Sequence, residues 1–94
     1  MNITIIGDGG WGTAIGLLLD TYGHNVTLWG PFADYLDEVR ARRENIRFLP
    51  GIALPDSLRW TASPDEAAAG ADAVILPSPS KFLAGVRQTF KGLI

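Results

Sequence analysis

Glycine is concentrated near the start of the chain, where residues 7–12 read Gly-Asp-Gly-Gly-Trp-Gly. Gly7, Gly9 and Gly12 have the spacing G-x-G-x-x-G, which is a weak signal when it stands alone. Here the segment follows a short β-branched run and opens a helical pattern, and this context makes the signal strong. The first glycine allows a tight turn, the second lets a pyrophosphate reach the backbone, and the third lets helix and strand pack closely. The loop therefore predicts a phosphate-binding turn at the start of a helix.

Strands and helices alternate along the rest of the chain. The predicted strands are Asn2–Ile6, Asn25–Trp29, Leu58–Thr61 and Ala73–Leu76. Predicted helices run from Trp11 to a stop at Gly23, over Phe32–Arg43, from Pro64 to Gly70, and beyond the turn at residues 77–80. This βαβαβαβα order implies a parallel sheet with right-handed crossovers. We therefore predict a Rossmann-type α/β fold, a three-layer sandwich with a sheet of about four strands.

Helical spacing and end signals define each helix further. The apolar residues at helical spacing are Ala14, Ile15, Leu18, Leu19 and Tyr22 in the first helix, Leu36, Val39 and as a further candidate Phe32 in the second, and Phe82, Leu83, Val86 and Phe90 in the last. Ser63, Pro64 and Glu66 have the pattern of a capping box. The arginines at 40, 42 and 43 indicate a solvated helix end in preference to a binding patch.

Composition excludes several kinds of site and partner. The 94 residues fit one small domain, and the net charge of −2 provides no basic field for nucleic acid or an anionic membrane. The absence of cysteine and the single histidine exclude disulfides, thiolate sites and multi-histidine sites, so we predict no metal. No run reaches the roughly 18 apolar residues that cross a bilayer, and the first residues lack a signal-peptide pattern. A cytoplasmic location is therefore expected.

Two features depart from the usual NAD fingerprint. Asp8 places a carboxylate in the glycine loop, where it weakens phosphate binding if it faces the ligand and is harmless if it turns to solvent or an amide. A typical NAD site also has an acidic residue about 20 positions further on, which binds the ribose 2′-hydroxyl. That place reads Trp29-Gly30-Pro31, without an acid or an arginine, and the nearest charge is Asp34. The choice between NAD and NADP therefore stays open.

Four stretches together resemble the NAD(P)-dependent glycerol-3-phosphate dehydrogenases. They are the fingerprint at 9–14 (GGWGTA), the strand at 26–29 (VTLW), the loop at 45–52 (NIRFLPGI) followed by Leu54-Pro55, and Pro79-Ser80 with Phe82-Leu83. The loop is the most specific of these, and the resemblance covers essentially the whole chain. It implies NAD or NADP as cofactor and hydride transfer between glycerol 3-phosphate and dihydroxyacetone phosphate, as part of glycerol-3-phosphate metabolism and phospholipid biosynthesis.

The resemblance also assigns cofactor-binding residues. Those implied to line the phosphates are Gly7, Gly9, Gly10, Trp11 and Gly12. Pro31 stands where bacterial members often carry a basic side chain, which weakens a preference for NADP. Phe82 is implied to pack near the dinucleotide, and Pro79 and Ser80 to border its nicotinamide side.

No catalytic residue is assigned in this chain. The catalytic lysines of the family lie after a fifth strand and in a second domain, and Lys81 and Lys91 do not match those motifs. Pro77-Ser78 also replaces the family's usual apolar pair. We therefore interpret residues 1–94 as an incomplete N-terminal NAD(P)-binding domain that lacks the C-terminal substrate domain and is inactive alone. The open sheet edge makes a homodimer a further hypothesis.

The sequence alone leaves several interpretations open. The chain could be a stand-alone nucleotide-binding module or remnant without catalysis, or belong to another dehydrogenase of similar architecture. Trp11 could anchor the core or cover the cofactor, and the loop at 48–50 could cover the cofactor or meet another domain. Trp29 and Trp60 are expected to pack, and His24 to lie in a surface turn.

Overall fold

The computed structural model describes residues 1–77, residue 85 and residues 88–93. The secondary structure elements are, in chain order, β1 (Asn2–Ile6), α1 (Gly10–Thr21), β2 (Asn25–Trp29), α2 (Ala33–Arg42), β3 (Arg59–Thr61), α3 (Pro64–Ala68) and β4 (Ala73–Ile75). Gly85, Gln88 and Thr89 are also helical. The predicted bounds of β1 and β2 are confirmed, and β3 and β4 are each one residue shorter than expected.

The four strands form one parallel sheet in the order β3-β2-β1-β4. Pairing of β1 with β2 continues past the strand ends, where the Gly7 N–H donates to the Trp29 carbonyl at 2.9 Å. The chain adds β2 and β3 on one side of β1 and then crosses to add β4 on the other. This reversal is the topological switch point at which open α/β sheets bind their ligands. The predicted Rossmann-type fold is confirmed.

Apolar residues cover both faces of the sheet. On one face, Ile5 and Leu28 belong to the larger core cluster, which includes Leu36 and Val39 of α2. On the other face, Ile6 packs with Ala67 of α3 and with Phe90. Because neighbouring residues of β1 point to opposite faces, the strand contributes to both clusters. The described part of the chain therefore has the expected three layers.

Helix α1 packs through a different set of residues than its apolar spacing indicates. Its buried residues are Gly12, Thr13 and Gly16. Tyr22 is 73% exposed, and Leu18 is also exposed. Glycines on the inner side bring the helix backbone close to the sheet, because a Cβ atom placed on Gly16 would already lie 3.4 Å from side-chain atoms of Ile5 and Leu28. Of the predicted apolar residues, Ile15 and Leu19 are partly buried and pack against the larger core cluster, whereas Leu18 and Tyr22 are exposed.

The other helices follow the sequence more closely. Leu36 and Val39 are fully buried in α2, whereas the further candidate Phe32 precedes the helix as its N-cap residue and is 65% exposed. The arginines near the end of α2 each pair with an acid, Arg40 with Asp37, Arg42 with Glu38 and Arg43 with Asp56. Within the described ranges, no helix is both long and apolar enough to cross a membrane.

Helix α3 begins with the predicted cap, with one difference. The Ser63 hydroxyl accepts a hydrogen bond from the Glu66 N–H at 3.3 Å, and Pro64 occupies the first turn. In a reciprocal capping box the Glu66 side chain would accept from the Ser63 N–H. Here the Ser63 N–H donates to Thr61 Oγ1 at 3.0 Å, and Thr61 Oγ1 donates to the Glu66 carboxylate at 2.7 Å. The Thr61 hydroxyl therefore links the two halves of the box.

Candidate dinucleotide-binding site

The turn between β1 and α1 starts at a residue that needs to be glycine. Gly7 has a φ of 144°, a conformation that other residues rarely adopt. Its N–H remains bonded to Trp29, so the chain leaves the sheet directly beside the end of β2. The turn thus carries residues 8 and 9 across the carboxyl end of the sheet.

Gly9 forms the N-cap of α1 and leaves the end of the helix open. Its φ of −72° and ψ of 179° are extended, and a Cβ atom placed there would meet no atom within 4 Å. In the described part of the chain, no side chain caps α1, and its first turn contains no acidic residue. The first N–H groups of a helix lack partners within the helix and carry its partial positive charge. An anionic group can therefore reach this end of α1 past Gly9.

Gly10 and Gly12 are instead enclosed by neighbouring backbone. A Cβ atom on Gly12 would lie 2.7 Å from the Gly7 carbonyl oxygen and 3.4 Å from Cγ of Pro77. A Cβ atom on Gly10 would lie 2.6 Å from the Phe48 carbonyl oxygen. Glycine is thus required at these two positions for packing, whereas at Gly9 it leaves open space. Pro77, which follows β4, borders the glycine turn at the switch point.

A buried asparagine fastens the glycine turn to the loop that follows α2. Asn45 is fully buried, and its Nδ2 donates to the Asp8 carbonyl at 2.6 Å and to Thr13 Oγ1 at 2.8 Å. Its Oδ1 accepts a hydrogen bond from the Tyr35 hydroxyl. The amide therefore joins both ends of the turn to helix α2. Since each polar atom of the Asn45 side chain is paired, the arrangement holds the turn in one conformation.

The same loop packs against Tyr35 and the start of α1. The Arg47 N–H donates to the Tyr35 hydroxyl at 3.0 Å, and the Arg47 guanidinium lies 5.1 Å from the centre of the Tyr35 ring. The Phe48 ring meets Tyr35 edge-on with 6.0 Å between ring centres and stays 48% exposed. The loop thus closes one side of the glycine turn, while leaving the aromatic face of Phe48 accessible.

The Asp8 side chain lies against Gly30, immediately after β2. A Cβ atom on Gly30 would lie 2.6 Å from Asp8 Oδ2 and 2.8 Å from Asp8 Cγ. Burial raises the pKa of the Asp8 carboxyl, against the opposing effects of a hydrogen bond from its own backbone N–H and of the charge of Arg47. The carboxylate therefore occupies the space that a side chain at position 30 would need.

The remaining candidate residues divide into four groups. Trp11 is 77% exposed, so it is not a core anchor, and Pro31 is exposed as well. Trp29 and Trp60 pack as expected, the former donating from Nε1 to the Ala62 carbonyl at 3.1 Å and the latter buried in the core. His24 lies in the turn before β2. Pro79, Ser80 and Phe82 lie outside the described residues.

Asn45 and Gly30 are the site residues that sequence reasoning missed. The sequence marked Asn45 only as part of the loop motif at 45–52. It marked Gly30 only as the place where the usual ribose-binding acid is absent. A polar residue at the start of a long loop rich in apolar residues was the available signal for Asn45. The contacts of both residues are with the glycine turn, which is distant in sequence, so no local pattern identifies them.

The fold and this turn define a class of protein, the Rossmann-type α/β domains that carry the dinucleotide-binding fingerprint. The family described as the N-terminus of NAD-dependent glycerol-3-phosphate dehydrogenase matches residues 2–94. The chain belongs to this family. The predicted resemblance is thereby confirmed.

Individual relatives agree with this assignment. The chain is 39% identical over 92 residues to an NAD(P)+ glycerol-3-phosphate dehydrogenase of Bacillus mycoides (strain KBAB4), covering 98% of this chain and 27% of that protein. A crystal structure of glycerol-3-phosphate dehydrogenase from Coxiella burnetii superimposes with a TM-score of 0.89 at 33% identity, over 99% of this chain and 29% of that one. The enzyme from Saccharomyces cerevisiae, at 24% identity, shares the fold with a TM-score of 0.87 over 100% of this chain and 30% of that one. The chain thus spans less than a third of the length of these relatives.

Proposed function

We propose that this chain is the N-terminal NAD(P)-binding domain of an enzyme that interconverts glycerol 3-phosphate and dihydroxyacetone phosphate. The observation that carries the proposal is the bare start of α1, where Gly9 has open space at its Cβ position and no side chain caps the described helix. A helix end of this kind has the chemistry to hold a pyrophosphate. The substrate and the catalytic groups belong, on this proposal, to a C-terminal domain.

The glycine turn fits the phosphates of the cofactor. Gly9 is the position where a Cβ atom would fill the approach, and the amides of Gly10, Trp11 and Gly12 begin the helix beside it. When bound, the nicotinamide ring of the cofactor donates or accepts the hydride. The residues of this chain bind and orient the cofactor, with Gly7 shaping the turn and Asn45 holding it in place.

Two further groups of residues complete the proposed site. The exposed indole of Trp11 and the exposed Pro31 flank the turn on the surface, and we assign them to cofactor contact. On the other side, Pro77 adjoins Gly12, so the chain that follows β4 starts next to the phosphate-binding turn. This supports the assignment of Pro79 and Ser80 to the nicotinamide side and of Phe82 to contact with the dinucleotide, as the family resemblance implies.

Amide NMR spectra of the chain during titration with NADH, and separately with NADPH, test the proposal. We expect saturable shifts at residues 9–13 and none at residues 63–66, where the start of α3 is already capped. The start of α3 is an internal control for nonspecific effects of the added salt. A folded chain that shows no saturable shift at residues 9–13 with either nucleotide would contradict the proposal.

A further inference from the structure

We propose that Asp8 acts as the ribose-binding acid of this site and gives it a preference for NAD over NADP. The inference rests on the proposed function, because it assigns a role within the same cofactor site. It explains both departures from the usual fingerprint, the additional acid in the glycine loop and the missing acid after β2, by a single contact.

Backbone pairing brings the two departures together. Ile6 pairs with Trp29 in the sheet, and the Gly7 N–H continues the pairing to the Trp29 carbonyl. Residue 8 therefore leaves the turn beside the residues that follow β2. The Gly30 N–H in turn donates to the Thr61 carbonyl at 3.0 Å, which fixes the backbone of Gly30 against the next strand. Both sides of the contact are thus held by the sheet.

The Asp8 carboxylate occupies the position where the side chain of a usual ribose-binding acid would begin. In many NAD sites this acid stands at the end of the second strand and accepts a hydrogen bond from the ribose 2′-hydroxyl. Here that position is Gly30, and its missing Cβ leaves room for Asp8, whose Oδ2 lies 2.6 Å from where the Cβ would be. An acid from the first turn therefore takes the place of an acid from the second strand.

The charge of Asp8 then determines which ribose is accepted. A carboxylate accepts a hydrogen bond from a 2′-hydroxyl and repels a 2′-phosphate. Arg47 is the charged group that acts on Asp8, and its guanidinium is held over the Tyr35 ring. The next residue after Gly30 is Pro31, which has no cation to offer.

Three variants separate this role from general effects of charge and packing. Asp8→Asn removes the charge with little change of shape. Asp34→Asn is the matched control, because Asp34 is an exposed acid in the first turn of α2, close in sequence to the end of β2. Gly30→Ala keeps both acids but displaces the Asp8 carboxylate, since the new Cβ would overlap it. Dissociation constants of NADH and NADPH are measured for each variant by amide NMR titration.

We expect the unmodified chain to prefer NADH by about tenfold or more, as the loss of one charge-assisted hydrogen bond indicates. Asp8→Asn should lower the ratio of the NADPH dissociation constant to the NADH dissociation constant by about tenfold. Gly30→Ala should also lower this ratio. Asp34→Asn should leave the ratio within about twofold of the original, since an exposed charge contributes little.

The possible outcomes distinguish this inference from the proposed function. Absence of saturable binding of either nucleotide to the folded unmodified chain overturns the proposed function and the inference with it. Saturable binding with no preference, or with a preference that Asp8→Asn leaves unchanged, overturns the inference alone. An equal change in Asp34→Asn would assign the preference to net charge and also overturn it. If Gly30→Ala does not give a folded spectrum, the nearly isosteric Asp8→Asn decides.

Discussion

Helices α1 and α3 differ in what their sequences provide for the free N–H groups at their starts. Helix α3 has a Ser63 cap, Pro64 in its first turn, and Asp65 and Glu66 beside its positive end. Helix α1 has Gly9 as its N-cap, no capping side chain among the described residues and no acid in its first turn. Helix α3, with 5 residues, thus has a capping side chain and acids at its N-terminus. Helix α1, with 12 residues, has neither at its own.

The difference separates a helix start built for stability from one left open for a ligand. A serine N-cap contributes roughly a few tenths of a kcal/mol more than a glycine at the same position, and α1 lacks this contribution. The length of α1 and its close packing on the sheet through Gly12 and Gly16 offset the loss. The unpaired amides remain available, and on our account the pyrophosphate of the cofactor pairs with them.

Gly12→Ala should destabilise the fold by about 3 kcal/mol, because its Cβ would lie 2.7 Å from the Gly7 carbonyl and one backbone segment must move. The free energy of unfolding from urea denaturation measures this. Gly16→Ala is the control in the same helix, since its Cβ would meet only side chains at ordinary contact distance. If both variants lose the same stability, the close approach at Gly12 is not the cause.

Asn45→Ala should cost about 2–3 kcal/mol, because it leaves the buried Tyr35 hydroxyl without its acceptor and removes the hydrogen bonds from Nδ2 to the Asp8 carbonyl and to Thr13 Oγ1. The same denaturation measurement applies. Asn25→Ala is the matched control, because among the described residues the Asn25 side-chain amide bonds only to the exposed Asn2 side chain. It should change stability by less than about 0.5 kcal/mol. If Asn45→Ala lowers the unfolding free energy no more than the control does, Asn45 does not stabilise the glycine turn.

Ser63→Ala should cost about 1 kcal/mol through loss of the hydrogen bond to the Glu66 N–H. Its affinity for NADH should be unchanged, because α3 takes no part in the proposed site. Thermal unfolding and NMR titration of the same sample report the two quantities. A lower affinity of Ser63→Ala for NADH would mean that the two helix starts are coupled.

The pH dependence of stability should reveal the partly buried Asp8 carboxyl. Burial raises its folded pKa above the unfolded value, so the folded state binds the proton first as the pH falls. The unmodified chain therefore gains stability as the pH falls through the folded pKa toward the unfolded one, and loses this gain as the pH rises. The stability of Asp8→Asn lacks this pH dependence. The difference between the unfolding free energies of the variant and of the unmodified chain should therefore become smaller as the pH falls from about 7 to about 4. A difference that stays constant over this range would contradict the burial of the charge.

Local sequence patterns predicted the strands and the order of elements well. The strand Asn25–Trp29 is bounded by glycines at 23 and 30, and the pattern changes sharply at each end. The same reasoning was only partly right for α1, because Ile15 and Leu19 pack against the core but the fully buried residues are Gly12, Thr13 and Gly16. In α1 the backbone itself approaches the sheet at Gly12 and Gly16, and the apolar Leu18 remains exposed.

Contacts between distant segments could not be predicted from the sequence. The motif identified the glycine turn, but it gave no means of telling the open Gly9 from the enclosed Gly12, which depends on where the Gly7 carbonyl lies. The orientation of Asp8 was likewise undetermined, since its contact with Gly30 depends on the pairing of β1 with β2. Side-chain surroundings of this kind follow from the tertiary structure and not from local spacing.

Gly9→Ser tests the central claim most directly, because it gives α1 the kind of cap that α3 has. Gly9 has extended backbone angles and free space at its Cβ position, so serine fits there and can accept a hydrogen bond from the first turn. We predict a gain of up to about 0.5 kcal/mol in stability together with a loss of at least about tenfold in NADH affinity. Both are measured on one sample, by urea denaturation and by NMR titration. A serine variant that binds NADH as tightly as the unmodified chain would contradict the account, because the open end of α1 would then not be the phosphate site.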